Sequence, residues 1–368
     1  MNYTKQYALQ PLKGSYSLQD CQFLLQSIDI PLLSIEEKEQ RLQEGTEHYS
    51  QMVSQEFAPS EQYLAIFYQL VEQYKQRLAT EIASLARQIY QLKGKDITLL
   101  SLARAGTPIG VLLNRALRYY YAVEPHHYSI SIVRDKGIDT HALHYLQEAG
   151  RSAQSILFVD GWTAKGVITQ ELKTAVAAWN DRCDYKISDQ LCVISDIGGM
   201  ADIIATVDDY AIPCGVLNST VSGLVSRTIL RDEYLGFHQC VKYTHLSADD
   251  LSNWFVDTIA DLFVDIHADN QQIMSDSSRS RKRHLQMKNY VSGVMHSQNV
   301  DDINKIKPGI AEATRVMLRR VPKLLLLRDK KSPDVAHLLV LADEKNISVL
   351  EDSTMPFNAL AIIANVLT

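Results

Sequence analysis

The sequence predicts an α/β protein in which a mainly parallel sheet carries an N-terminal helical hood and is followed by a small second α/β domain. Three observations predict it. Short apolar runs alternate with helical stretches through the middle of the chain, and runs that end in Gly- or Asp-containing turns before a helix are the mark of βαβ units. The 368 residues, 46% of them hydrophobic, are enough for more than one core. The charge is also unevenly divided: residues 279–331 hold seven Arg and seven Lys against four acids, a balance of +10, which leaves −16 for the rest of a chain of net −6.

Residues 1–92 are assigned to the hood. From Ser17 to Leu92 the pattern is helical, with charged stretches such as "SIEEKEQRLQEG" and an apolar stripe in "YLAIFYQLVEQYKQRLATEIASLARQIYQL". Residues 93–268 form the core, where "ITLLSLARAG", "YSISIVRDKG", "SILFVDGW", "LCVISDIGG" and "DYAIPCG" read as strands entering turns. The stretches "PIGVLLNRALRYYY", "THALHYLQEAG" and "GVITQELKTAVAAW" read as helices between them, and "LSADDLSNWFVDTIADLFVDI" as one more. Polar residues 269–290 read as a linker. Residues 291–368 again alternate helix and strand.

No stretch approaches the roughly 20 apolar residues that span a bilayer, and the N-terminus lacks a basic and then apolar leader, so a cytoplasmic protein without membrane contact is expected. Five cysteines without CxxC spacing suggest neither a disulfide framework nor a bound metal. The basic segment suits a polyanion such as RNA, with a solvated charged face as the alternative. The sequence leaves the oligomeric state open.

In a parallel sheet ligands gather at the carboxyl ends of the strands, so the turns there are the candidates. In "LLSLARAGTPIGVLL", Ala105, Gly106 and Thr107 could bring backbone amides to an anion while Arg104 makes charge-assisted bonds to it. In "SISIVRDKGID", Arg134, Asp135 and Lys136 crowd the next strand end; the alternative is a surface hairpin. In "ILFVDGWTAKGVITQEL", Asp160 ends a strand, and Gly161, Thr163, Ala164, Lys165 and Gly166 lead to a helix N-terminus that favours phosphate. Asp160 could hold ribose hydroxyls and face positive charge on a sugar ring, or merely cap the helix.

Together the three turns resemble a type I phosphoribosyltransferase, with "LARAG" and "VRD" most like the uracil branch. The pattern departs from that family where Gly161 stands in place of a second acid and where the phosphate loop is short and carries Lys165. Over nearly the whole chain, "GSYSLQDCQFLL", "EKEQRLQEGTEHYSQM", "SLARAGTPIGVLLNRALR", "HYSISIVRDKGID", "FVDGWTAKG" and "LNSTVSGLVSRTIL" resemble the bacterial phosphoribosyltransferase–Pelota proteins of tellurite and stress resistance operons, also called the cysteine protease StiP family. The resemblance implies a phosphoribosyltransferase-like core joined to a Pelota/L7Ae-like RNA-binding domain that serves nucleoside biosynthesis. It implies 5-phosphoribosyl diphosphate with Mg2+ bridging its oxygens, and catalytic roles for Asp160, Arg104 and Lys136.

Further residues follow. Asn218, Ser219, Thr220 and Ser222 could line a base or ribose pocket with Arg227 on an anion, or they could form a hydroxyl-rich cap. "IKPGIAEATRVMLRR" resembles the RNA-contacting turn of L7Ae-like domains, with Lys307, Gly309, Glu312, Arg315 and Arg319 as its contacts and Ala311 where the family has Asn. Lys305, Arg320 and Lys323 add backbone-binding charge. A peptidase reading would need a thiolate and a base: Cys214 with His126, His127, His144 or His238. A nucleotide-sensing regulator that binds RNA without turnover is the third alternative.

Overall fold

The stretch after Ser17, expected to be helical, instead runs extended through two short strands, β1 (Gln22–Phe23) and β2 (Gln26–Ser27). Leu24 and Leu25 between them are buried in different cores, the alternation of a strand and not of a helix. This computed structural model describes residues 9–231, 235–266 and 277–365.

Helix α1 (Ile35–Glu44) starts at a capping box formed by Ser34 and Glu37 and stops at Gly45, whose left-handed backbone frees the last carbonyls to be capped. Helix α2 (Glu61–Lys93) follows, burying Tyr63, Phe67, Leu70, Leu78, Ile82 and Ile89 of its apolar stripe. The core then alternates: β3 (Thr98–Leu102), α3 (Gly106–Tyr121), β4 (His126–Ile130), a hairpin of β5 (Ile132–Val133) and β6 (Gly137–Ile138), α4 (Thr140–Glu148), β7 (Ile156–Thr163), α5 (Val167–Arg182), β8 (Leu191–Asp196) and β9 (Ile203–Thr206). Strand β10 (Gln239–Cys240) pairs with β2, and α6 (Ser252–Ala260) packs on α2 and α3.

All six strands of the main sheet run parallel, in the order β1-β4-β3-β7-β8-β9. Its two faces are buried by turns along each strand. Leu157 and Val159 of β7 pack toward α2 and α3, and Ile156 and Phe158 toward α4 and α5. From β3 the chain steps to β4 on one side and later returns to β7 on the other, so the carboxyl ends of β3 and β7 flank the switch point where such sheets bind ligands.

Two expectations change here. The fifth core strand is Ile203–Thr206, not "DYAIPCG": Tyr210–Cys214 leads into a short 3-10 turn at Pro213, whose ring has no N–H to give a ladder. Of the expected linker, residues 269–276 lie outside the described residues, while 277–290 open helix α7 (Ser277–Ser297), which buries Met287, Val291 and Val294 along one stripe.

The second domain holds β11 (Ile306–Pro308), α8 (Ile310–Arg319), β12 (Pro322–Leu327), α9 (Ala336–Glu344), β13 (Ser348–Glu351) and β14 (Ala359–Ile363). Its sheet runs β11-β14-β12-β13. Helix α8 does not face solvent: Ile310, Ala313, Val316 and Met317 join the core cluster of α2 and α3. Polar ties fix the same contact, including Arg320 Nη2 to Glu39 Oε1 (2.8 Å), Gln43 Nε2 to the Ala364 carbonyl (3.0 Å) and Arg134 Nη1 to Asn304 Oδ1 (2.8 Å). No described helix is long and apolar enough to cross a membrane.

Candidate ligand-binding site between the two domains

A cavity of about 1040 Å3 opens where the second domain sits over the carboxyl end of β7. Asp160 lines it, because β7 runs three residues past it before the turn Ala164–Gly166 starts α5. Gly106 sets this spacing: a Cβ there would meet the Val159 carbonyl oxygen at 2.3 Å, so only glycine lets α3 abut β7 beside Asp160. Gly166 turns with φ +79° under Met200, where a side chain would clash at 2.6 Å.

Withdrawal from bulk water pushes the Asp160 carboxyl up to about 6; nearby Glu312 adds to the effect, and Arg315 and the Gly161 amide oppose it. Lys165 is held by the carbonyls of Ile303 (2.6 Å) and Ile306 (2.7 Å), and burial with the charge of Lys307 brings it down to about 7. Arg315 lies over the Trp162 ring at 4.7 Å and donates to Glu312 Oε1 (2.7 Å), which also accepts from Trp162 Nε1 (3.4 Å). Burial alone would raise the Glu312 carboxyl, but Arg315, Lys307 and the indole N–H outweigh it and hold it below its ordinary value.

The cavity thus brings together Arg134, Asp160, Thr163, Ala164, Lys165, Gly166 and Arg227 with Lys305, Lys307, Glu312, Arg315, Arg319 and Arg320. Residues from both expected sites, the RNA site and the sugar-phosphate site, line one chamber. Gly309 lies buried at its edge, with φ +91° and no room for a Cβ beside Ile197. Asp209 of the core receives the first amide of α8, Ile310 N to Oδ1 at 2.9 Å. The turn expected to face RNA is therefore docked on the core, because its apolar side has Gly215 and Trp162 to pack on.

Other expected residues lie elsewhere. Arg104 is buried and held within the protein, outside the cavity lining: Nη2 donates to Glu56 Oε2 (2.9 Å) and Nη1 to the Val225 carbonyl (2.7 Å), while Nε has no partner among the described residues. Thr107 Oγ1 pairs with Ser129 Oγ (2.8 Å), and Ala105 and Gly161 also stand outside the lining. Lys136 and Asp135 are exposed at the tip of the β5–β6 hairpin, so the hairpin alternative holds for them, and only Arg134 of the three reaches the chamber. The run after Cys214 is a buried cap: Ser219 N and Oγ each donate to Glu56 Oε1 (2.6 Å), Ser222 Oγ donates to the Asn218 carbonyl (2.8 Å), and the Thr220 carbonyl accepts from Leu251 N (2.7 Å). Thr163 keeps its hydroxyl on Asp196.

Cys214 is 5% exposed, and burial pushes its thiol up to about 12. None of the four histidines reaches it: His127 bonds Ser101 and the Asp20 carbonyl, His238 bonds Ser131, His144 meets Trp179 edge to face, and His126 opens β4. Lys38, Glu39 and Tyr49 line the chamber without having been singled out in the sequence. A charged helix and a lone aromatic carry no signal of a partner some 180–280 residues away.

Comparison with known proteins follows the same division. Residues 14–260 match the family described as tellurite-like stress resistance cysteine protease StiP, and residues 285–365 match the PELOTA RNA binding domain. A protein of Acinetobacter baylyi named cysteine protease StiP is 38% identical over 367 residues, 96% of this chain and 94% of that protein. Among solved structures, the hypoxanthine phosphoribosyltransferase of Trypanosoma cruzi overlaps 45% of this chain and 91% of its own at 16% identity, with a TM-score of 0.29. A hypoxanthine-guanine phosphoribosyltransferase of Bacillus anthracis overlaps 37% and 80% at 14% identity, with a TM-score of 0.27. The match over most of the chain and the 38% identity place it: the chain belongs to the StiP family of tellurite-like stress resistance proteins and carries a Pelota domain at its C-terminal end.

Proposed function

We propose that the protein binds the phosphoribosyl group of 5-phosphoribosyl diphosphate in the chamber between its domains and transfers it to an acceptor base. One observation carries this reading: Asp160 shares a cation-lined cavity with the N-terminus of the 16-residue helix α5. The amides that open α5 and its dipole suit a 5′-phosphate. When the bond from C1 of ribose to the diphosphate breaks, positive charge grows on the sugar ring, and an ionised carboxylate beside it stabilises that charge. With its carboxyl near 6, Asp160 is mostly ionised at neutral pH.

Mg2+ entering with the substrate would be held by Asp160, since Glu312 is engaged by Arg315 and Trp162, and it would neutralise diphosphate charge. RNA would bind the outer side of the second domain, where α7 presents Arg281, Lys282 and Lys288 to solvent, since the Gly309–Arg319 turn is docked. The peptidase reading suggested by the family's name finds less support: a thiol near 12 with no histidine partner is a poor nucleophile.

Calorimetry with 5-phosphoribosyl diphosphate and MgCl2, followed by diphosphate release across a panel of bases, tests the proposal. Absence of binding at millimolar ligand would sink it. Binding without release by any base would leave the sensing alternative in its place.

A further inference from the structure

Part of the chamber wall has too much positive charge for the carboxylates present. Lys38 of α1, Arg227 and Arg319 of α8 all line it, and none has a carboxylate within ion-pair distance among the described residues. The acids beside them are already engaged: Glu39 by Arg320, and Glu56 by Arg104 and Ser219. Lys38 is 7% exposed, and its ammonium donates to the Ser54 hydroxyl (3.2 Å). Arg227 gives Nη2 to the carbonyls of Tyr49 and Met52 and stacks on Tyr49 at 5.1 Å, while its Nε is buried without a partner. Arg319 Nε is likewise buried and unpartnered.

Three like charges drawn from three separate segments, Lys38 buried and Arg227 and Arg319 half-buried, oppose folding unless something compensates them. Burial and then Arg227, Arg320 and Arg319 hold the Lys38 ammonium well below its ordinary value, whereas the charges acting on Asp160 are those of Arg315 and Glu312. The Glu39–Arg320 pair brings Lys38 and Arg319 together at the C-terminal end of α8, a turn beyond the Arg315 that covers Trp162. This cluster cannot be an RNA track, because tracks run along open grooves with stacking aromatics, and here one Tyr49 ring is already covered by Arg227.

We infer that Lys38, Arg227 and Arg319 form a second anion site in the chamber, built for a compact group carrying at least two negative charges, of the diphosphate class. It rests on the proposed function only for the identity of the anion, which would be the leaving group of the transfer. The site replaces the turn at Arg104, whose guanidinium is bound elsewhere, and it needs the second domain in place because Arg319 comes from there.

The test is calorimetry on the full chain in low-salt buffer, with sodium pyrophosphate and ribose 5-phosphate titrated separately. Arg319→Gln and Lys38→Met should each weaken pyrophosphate by roughly tenfold or more, the loss of a charge-assisted bond, and leave ribose 5-phosphate unchanged. The same variants should melt no lower than the parent without ligand, because they relieve repulsion, and should lose the stabilisation that pyrophosphate gives. A structural role would show the opposite, a lower ligand-free melting temperature with pyrophosphate affinity intact, and would overturn the inference. So would failure of pyrophosphate to bind at millimolar concentration, or its displacement by a short single-stranded RNA with equal dependence on Arg319 and Lys38. Pyrophosphate binding without ribose 5-phosphate binding would sink the transferase reading and support this site.

Discussion

Glu56→Met should destabilise the core severely and leave the chamber's ligand contacts in place. Glu56 and Arg104 form an ion pair at 2.9 Å with side chains 12% and 7% exposed. Their attraction is about 6 kcal/mol at an effective dielectric near 20, much of it offset by desolvating two ions. The variant loses more than the net worth of the pair, because it leaves the Arg104 charge buried and uncompensated, a cost of about 3–5 kcal/mol. Ser219 also loses the acceptor for its amide and hydroxyl, which adds about 1 kcal/mol or more. Urea unfolding followed by circular dichroism should therefore show a loss of about 4–6 kcal/mol. The double variant Glu56→Met/Arg104→Met removes both charges and should recover about 2 kcal/mol of that loss, the scale of coupling between contacting residues. Its pyrophosphate affinity should match the parent's. If Arg104→Met instead kept parental stability and lost pyrophosphate, Arg104 would be a ligand contact and the structural assignment would fail.

Three further outcomes are expected. Because the folded Asp160 carboxyl lies near 6 and the unfolded one near 3.9, the native state binds the extra proton between those values, so stability falls as pH rises through that window. Asp160→Asn should thus be more stable than the parent at pH 7 and equal to it below pH 4 by thermal melts, while losing affinity for ribose 5-phosphate. Asp209→Ala strips the acceptors of Ile310 N (2.9 Å) and Asn358 N (2.7 Å), at about 1–3 kcal/mol for each buried amide, and should speed amide exchange in 306–319 but not in 98–121. A thiol reagent on the native protein should modify Cys183, the one cysteine not buried, and leave Cys214 untouched; rapid loss of the Cys214 thiol would revive the peptidase reading.

The sheet was legible because its strands are buried on both faces and so appear as unbroken apolar runs ahead of Gly-containing turns, as in Ile156–Asp160 and Leu191–Asp196. It failed at β1, where two residues suffice because β4 supplies the pairing, and at Tyr210–Cys214, whose apolar side chains fill the core without a ladder. Within the site, Asp160 and the start of α5 were readable because one turn contains both. Arg104 is the converse case: a basic residue in a phosphate-like turn looks the same whether its partner is a ligand or Glu56, and Glu56 sits 48 residues upstream in an unremarkable stretch.

The docking of α8 decides how the two domains relate in function. The segment 307–319 would be an exposed basic turn if the Pelota domain stood alone, but here its apolar face is buried with α2 and α3 and its charged face closes the chamber. Lys165 and Asp209 of the core both bond to backbone of the second domain, at Ile303, Ile306 and Ile310, so the phosphate turn and the base of α8 are positioned by each other. Separating the domains would remove Arg315 from Trp162 and Arg319 from the wall it shares with Lys38 and Arg227 at once. An RNA that needed this turn would have to break those contacts, whereas an RNA held on α7 would leave them intact. Under the proposed reaction the second arrangement is required, because the acceptor must arrive while the chamber still holds the diphosphate, and only the docked state supplies the cations for it.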